Sequence, residues 1–173
     1  MRGLADAPRI RRFMRSLGAA ADLDGACYLT GGSTAVLLGW RESTIDVDVL
    51  LVPETEALLR AIQRLKNELQ LNVELASPAD FIPVPAGWEE RSIFETREGS
   101  LSFYHFDPYS QALAKVERGH VQDRGDVDAM VAGGLVEPGR ALAYFDEIED
   151  ELYRFPAIDA ASFRRQVEAT FRP

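Results

Sequence analysis

Cysteine is nearly absent from this chain of 173 residues. Cys27 stands alone, so no internal disulfide can form, and a reducing compartment is the natural setting. Histidine is almost as scarce. His105 and His120 are the only two, and neither has a second histidine or a cysteine at the spacing a zinc site requires. Long hydrophobic runs are missing too, since no stretch of about 20 apolar residues is present that could span a bilayer. The N-terminal MRGLADAPRIRRFMRSL is basic and amphipathic but lacks the continuous apolar core of a secretory signal. These absences lead to the expectation of a soluble, cytoplasmic protein with no membrane partner. Internal repeats and low-complexity segments are lacking as well, and nothing in the composition is fibrous or disordered.

What is present is ordinary globular material, 46% hydrophobic and 27% charged. The length suits one domain, or a domain with a helical appendage, and is enough to bury a core. Against 28 acidic side chains stand 19 basic ones, for a net charge of −9. Such a surface repels polyanions and disfavours broad nucleic-acid binding, RNA included. The charge is uneven. Arg9, Arg11, Arg12 and Arg15 crowd the N-terminal segment, and Asp146, Glu147, Glu149, Asp150 and Glu151 crowd a later one. A solvated helix face is the plainer reading of the arginines, and a strip that meets a phosphate backbone is the alternative.

Apolar residues at Ile10, Phe13, Met14, Leu17 and Ala21 recur at helical spacing, which predicts a helix over 8–22. ACYLT (26–30) reads as a buried strand ending at Gly31-Gly32. STAVLLGW resumes helical character for about two turns, with Ser33 or Thr34 able to cap it. Residues 41–44 are polar and loop-like. IDVDVLLV (45–52) is rich in β-branched residues and alternates apolar with acidic, which marks a strand closed by Pro53. Leu58, Leu59, Ile62, Leu65 and Leu69 share one face of a helix over 54–71. A strand over 71–76 runs into SPADFIPVPAG, a loop with three prolines. SIFETR and SLSFYHF form a hairpin turning at Glu98-Gly99. Beyond Asp107 the chain is helical, with four helices, the first two (DPYSQALAKVERG and DRGDVDAMVAGG) each marked by a capping aspartate and a terminal glycine. A mixed α/β half is thus followed by an all-α half, divided near residue 107.

The chemistry concentrates in YLTGGSTAVLLGWRESTIDVDVLL (28–51). Two glycines between a strand and a helix turn backbone N–H groups and the positive helix end toward one small volume. Gly31 and Gly32 admit close approach by a phosphate that a side chain would block, and Ser33 adds a hydroxyl donor. Twelve residues separate Ser33 from Asp46-Val47-Asp48. On a strand, positions i and i+2 share a face, so both carboxylates project together, while Ile45, Val47 and Val49 face apolar packing. Adjacent carboxylates repel unless a cation neutralises them. Oxygen-only ligands suit Mg²⁺ or Mn²⁺ and not zinc. A phosphate cradle beside a divalent-metal pair points to metal-assisted phosphoryl or nucleotidyl transfer.

Gly-Gly-Ser followed, after about a dozen residues, by Asp46-Val47-Asp48-Val49 resembles the signature of the DNA polymerase β-like nucleotidyltransferase superfamily. With Gly39, Arg41 and Thr44 before the acidic pair, the stretch is similar to the small prokaryotic members: minimal nucleotidyltransferases, abortive-infection-type toxin transferases and their uncharacterised relatives. The order of elements extends the resemblance across residues 8–130. It implies an α+β fold with a small mixed or antiparallel sheet, flanking helices and a C-terminal helical half. The core would be 1–106, with 107–173 packed on it as one compact unit. It further implies that Gly31, Gly32 and Ser33 bind the phosphates of a nucleoside triphosphate and that Asp46 and Asp48 ligate two divalent ions. A third catalytic carboxylate is implied on the next central strand. Glu74 in VEL is favoured there, although that position is usually aspartate, and Asp80 is the rival. Lys115, on a helix after the last strand, would contact a phosphate, and Asp123, Arg124 and Asp126 resemble the acidic segment that accompanies it. DRGDVD also reads as an ordinary helix N-terminus. Arg41 either pairs with phosphate or holds Asp46.

Other residues attract plainer readings. His105 and His120 are structural or surface residues, and Cys27 is a packed thiol. Phe81 and Trp88 anchor a long loop rather than stack on a base. The leading expectation is a nucleotidyltransferase moving a nucleoside monophosphate to a hydroxyl of a protein, an RNA end or a small molecule. The competing one is a fold kept for binding with weak or no catalysis, a toxin–antitoxin-type component whose helical half docks a protein partner. A metal-dependent phosphohydrolase ranks last, because the histidines such sites use are missing.

Overall fold

The computed structural model describes residues 3–173. Its chain contacts group into two units. One runs to Ser77 and resumes over Ser92–Phe106, and the other comprises Pro78–Arg91 and Asp107–Pro173.

The first unit opens with strand β1 (Ala5–Asp6) and helix α1 (Ala7–Ala20). Asp6 accepts from Arg9 N at 3.0 Å, and Pro8 sits in the first turn, where its missing N–H leaves no bond unmade. Ile10, Phe13, Met14 and Leu17 are buried, as their spacing requires. Strand β2 (Gly25–Thr30) enters the short helix α2 (Gly32–Leu38) through Gly31. Then come β3 (Ser43–Thr44), β4 (Asp46–Val52), α3 (Glu56–Glu68) and β5 (Asn72–Leu75). The hairpin of β6 (Ile93–Glu98) and β7 (Leu101–His105) completes the unit.

Five strands form one sheet in the order β5-β4-β2-β7-β6. Pairs β2/β4 and β6/β7 are antiparallel, whereas β2/β7 and β4/β5 are parallel. Cys27, Leu29, Val47, Val49, Leu51, Val73 and Phe103 bury one sheet face in a core that also takes up α1 and α3. The residues between them point to the opposite face, by the two-residue period of a strand. Three details depart from the sequence reading. Residues 43–44, expected in a loop, pair antiparallel with β1, with Thr44 opposite Ala5. Ile45, expected in the core, is 70% exposed because the strand begins one residue later. The N-cap of α2 is Gly31, with no side-chain capping bond.

The second unit contains α4 (Trp88–Arg91), α5 (Pro108–Arg118), α6 (Val121–Ala132), α7 (Pro138–Glu149) and α8 (Ala160–Phe171). Asp107 caps α5 by accepting from Tyr109 N and Ser110 N, and Gly119 ends it at φ +71°, a left-handed value glycine adopts without strain. Helix α5 packs on α6, α7 and α8, and α7 packs on α8, where the Phe145 and Phe163 rings meet edge to face at 4.9 Å. Arg91 fastens α4 to this bundle through Asp107 at 2.8 Å and lies over the Tyr144 ring at 4.2 Å. Ile82, Pro83 and Pro85 are buried, whereas Phe81 is 57% exposed, so the loop is anchored by its neighbours rather than by Phe81. Among the described residues the chain has eight α-helices and two sheets, the expected α+β class with a small mixed sheet. No helix among them is long and apolar enough to cross a membrane.

Candidate active site

Strand β4 positions the acidic pair by alternation. Val47, Val49 and Leu51 go into the core, and Asp46 and Asp48 project together, half-buried, from the other face. Register then decides their neighbours. Asp48 lies between Thr30 of β2 and Glu74 of β5, and Asp46 lies opposite Asn72. The Asn72 amide donates to Asp46 Oδ1 and, at 3.2 Å, to Glu74 Oε1. Asn72 was not singled out by sequence reasoning, although its place two residues before Glu74 puts both on one strand face.

The glycine turn meets this pair. Gly31 adopts φ +63° and ψ −129°, and a β-carbon there would stand 3.0 Å from Asp48 Oδ2. Gly32 is required for a different reason: its β-carbon would fall 2.0 Å from Thr44 Oγ1, so the residue seats α2 on β3. Ser33 is fully buried, and its hydroxyl donates to Thr30 O at 2.9 Å. That bond closes the β2–α2 turn, so the hydroxyl proton serves the fold. Arg41 follows the end of α2, where its backbone N–H joins those of Gly39 and Trp40 on Ala35 O, and it is partly exposed.

Among the described residues no three histidine, cysteine or carboxylate side chains gather as a metal cage. The Asp46 and Asp48 oxygens nevertheless suit a hard cation. Mg²⁺ is commonly held by one or two carboxylates, with the remaining positions left to water and phosphate oxygens.

A family model described as a nucleotidyltransferase of unknown function (DUF6036) matches residues 9–138, more than half of the chain. The chain belongs to this family. No curated protein and no solved structure matches it significantly. The span matched by the family takes in the glycine turn, the acidic pair, Asn72 and Glu74, and it ends at the start of α7.

The remaining expected site residues belong to the second unit. Asp80 ends a short 3-10 turn in the second unit, so of the two candidates for the third carboxylate it is Glu74 that shares the sheet with the aspartates. Lys115 is buried in the helical unit, with Nζ 2.7 Å from Asp126 Oδ2 and 3.6 Å from Asp123 Oδ1. Arg118 grips Asp123 through two bonds of 2.8 and 2.6 Å, and His120 N donates to the same carboxylate at 3.3 Å. Burial pushes the Asp123 pKa up, but Arg118, Lys115 and the His120 amide outweigh it and hold the group below its ordinary range. Helix α6 therefore starts at Val121, with Asp123 inside its first turn, and Arg124 is exposed.

His105 has a larger role than a lone strand histidine suggests. It is fully buried, with Nδ1 3.1 Å from Thr34 Oγ1 in the first turn of α2 and Nε2 2.9 Å from Glu95 Oε2. Glu95 also accepts from Arg11 at 2.9 Å. Burial lowers the His105 pKa, against the pull of Glu95. For Glu95 burial acts upward, and His105 and Arg11 overcome it to leave the carboxylate below its ordinary range. The signal was the inward alternation Leu101, Phe103, His105. Cys27 is buried and its thiol is pushed well above the reactive range by desolvation. In the N-terminal arginine strip, Arg9 is held by the Leu4, Leu69 and Gln70 carbonyls and Arg11 by Glu95, which leaves Arg12 and Arg15 on the exposed face.

Proposed function

We propose that this chain is a metal-dependent nucleotidyltransferase of the DNA polymerase β-like kind, moving a nucleoside monophosphate from a nucleoside triphosphate to an acceptor hydroxyl. The observation that carries this reading is the contact geometry of Asp48 and Gly31, which sets a paired carboxylate face closely against a backbone turn held at a positive φ. Repulsion within the pair favours occupation by Mg²⁺ or Mn²⁺, which would lower the acceptor hydroxyl's pKa and neutralise phosphate charge. Asp46 and Asp48 would be its protein ligands. Glu74, next to Asp48 in the register, stands where it can complete the set or take the acceptor proton. Gly31 lets Asp48 approach the turn and Gly32 lets Thr44 do so, so the backbone N–H groups that open α2 stand beside the acidic pair, and the buried Ser33 and Thr34 hydroxyls keep that turn rigid. Lys115 is assigned to the helical unit's own stability rather than to phosphate.

The test is incubation with each α-labelled nucleoside triphosphate, Mg²⁺ and a cell extract, comparing wild type with Asp46→Ala/Asp48→Ala. Label transferred by the wild type alone supports the reading, and equal labelling by the double variant overturns it. One observation favours the second reading, a protein-binding component with little catalysis. The Asn72 amide occupies both Asp46 and Glu74 and holds them in a hydrogen-bonded arrangement. Mg²⁺-dependent thermal protection by nucleotide without any product would select that reading.

A further inference from the structure

The sheet ends at β5, and a groove of about 580 Å³ runs along that edge. Leu59, Ile62, Val73 and Leu75 line it together with polar and charged side chains of α3 and Glu74. Leu75 is 47% exposed although it lies on the core side of the strand alternation. Across the β4–β5 pair the Ala76 N–H reaches Val49 O at 3.2 Å. Parallel pairing alternates, so Asn72 and Glu74 turn their backbone groups inward with Ala76, while Val73 and Leu75 turn theirs to the outer edge. An outward strand edge above a groove that mixes apolar and polar side chains is complementary to one shape of ligand, an extended polypeptide.

We propose that an extended segment of a protein acceptor adds to β5 as a further strand, sets an apolar side chain into the groove against Leu75, and presents a serine, threonine or tyrosine hydroxyl beside Glu74, on the sheet face that also carries Asp48. This rests on the nucleotidyl-transfer reading and names its acceptor class. An added strand lies about 4.8 Å outside β5, and its side chains alternate between the two faces of the sheet. One residue enters the groove, and its neighbour falls on the face that carries Glu74, with Asp48 one strand further in. In the transfer the hydroxyl oxygen bonds to the α-phosphorus, and the bond from that phosphorus to the α,β-bridging oxygen breaks. Pyrophosphate leaves, and the hydroxyl proton passes through Glu74 to water. The net charge of −9 opposes a polynucleotide acceptor at this edge and leaves a peptide unhindered.

The test uses the full chain with Mg²⁺ and α-labelled nucleoside triphosphates. It offers randomised decapeptides with a central Ser, Thr or Tyr, the same pool with central Ala or Phe, the hydroxyl pool N-methylated at alternate backbone nitrogens, and total cellular RNA. Hydrogen exchange at the Val73 and Leu75 amides is followed in parallel. Expected are label on the hydroxyl pool alone, at least a tenfold loss on N-methylation or in Leu75→Lys, and slowed exchange at both amides even in Asp46→Ala/Asp48→Ala. The nucleotide-induced melting shift of Leu75→Lys should match wild type. Label on RNA alone overturns the proposal, as does edge protection that follows protein concentration and ignores peptide. Labelling of peptides that ignores Leu75→Lys overturns the docking site and leaves the transfer reading standing. Slowed exchange with no labelling of anything overturns the transfer reading, and the acceptor role with it.

Discussion

The carboxylate of Asp48 lies against Gly31, close enough that a β-carbon on residue 31 would stand 3.0 Å from Oδ2. Gly31 also holds φ +63° with ψ −129°, a region essentially reserved for glycine. Gly31→Ala should therefore cost about 1–3 kcal/mol of backbone strain. It should also displace Asp48 and abolish the Mg²⁺-dependent melting shift given by nucleoside triphosphates. Urea denaturation measures the first effect and thermal melts with and without nucleotide the second. A variant with wild-type nucleotide response would sever the turn from the acidic pair.

The Asn72 amide separates Asp46 from Glu74, so Asn72→Asp adds a fourth carboxylate to a face that already carries Asp46, Asp48 and Glu74. Without divalent ions like-charge repulsion should lower the melting temperature by several degrees, given about 2–4 °C per kcal/mol for a chain of this size. Millimolar Mg²⁺ should recover most of the loss, more than it raises wild type. A Mg²⁺ response no larger than that of wild type would argue against a cation at this face.

Lys115 and Asp126 form a buried pair across α5 and α6. Removing one partner strands the other in a poorly solvating interior, so Lys115→Met should destabilise the chain by about 3–5 kcal/mol. Lys115→Met with Asp126→Asn should recover part of that. If Lys115 instead serves phosphate, the single variant would keep its stability and lose nucleotide binding. Denaturant titration beside a nucleotide melt separates these outcomes.

His105 and Glu95 make stability fall on acidification. Both titrate lower in the folded chain than their ordinary values of 6.5 and 4.5. The unfolded chain thus binds more protons, and the stabilisation is complete above the ordinary value and lost as pH drops through the folded one. The groups facing His105 are Glu95, with Arg11 behind it, and the neutral Thr34 hydroxyl. Stability from denaturant titrations should decline below about pH 6.5 and again below about pH 4.5. His105→Asn should flatten the upper part of that decline, and an unchanged profile in the variant would remove His105 as its origin.

Periodicity along the chain revealed most elements because the governing forces are local. Apolar spacing marked α1 and α3, alternation marked β4, and glycine and aspartate marked the ends of α5. The acidic pair was legible for the same reason, since i and i+2 on any strand share a face. The two-residue strand Ser43–Thr44 was not legible, because it exists only through pairing with Ala5 and Asp6. Nor was the role of Gly32, which depends on Thr44, or that of Ser33, whose hydroxyl turns back to Thr30 O instead of outward.

By itself, then, the sequence determined which residues could form a phosphate turn and which carboxylates must stand side by side, because those follow from backbone geometry within a few residues. Tertiary structure alone decided their company. Strand register set Asn72 against Asp46 and Glu74 beside Asp48, and the packing of α6 on α5 buried Lys115 with Asp126. These are contacts between segments far apart in the chain, and they are fixed by which hydrophobic faces bury together, which no short window of sequence specifies.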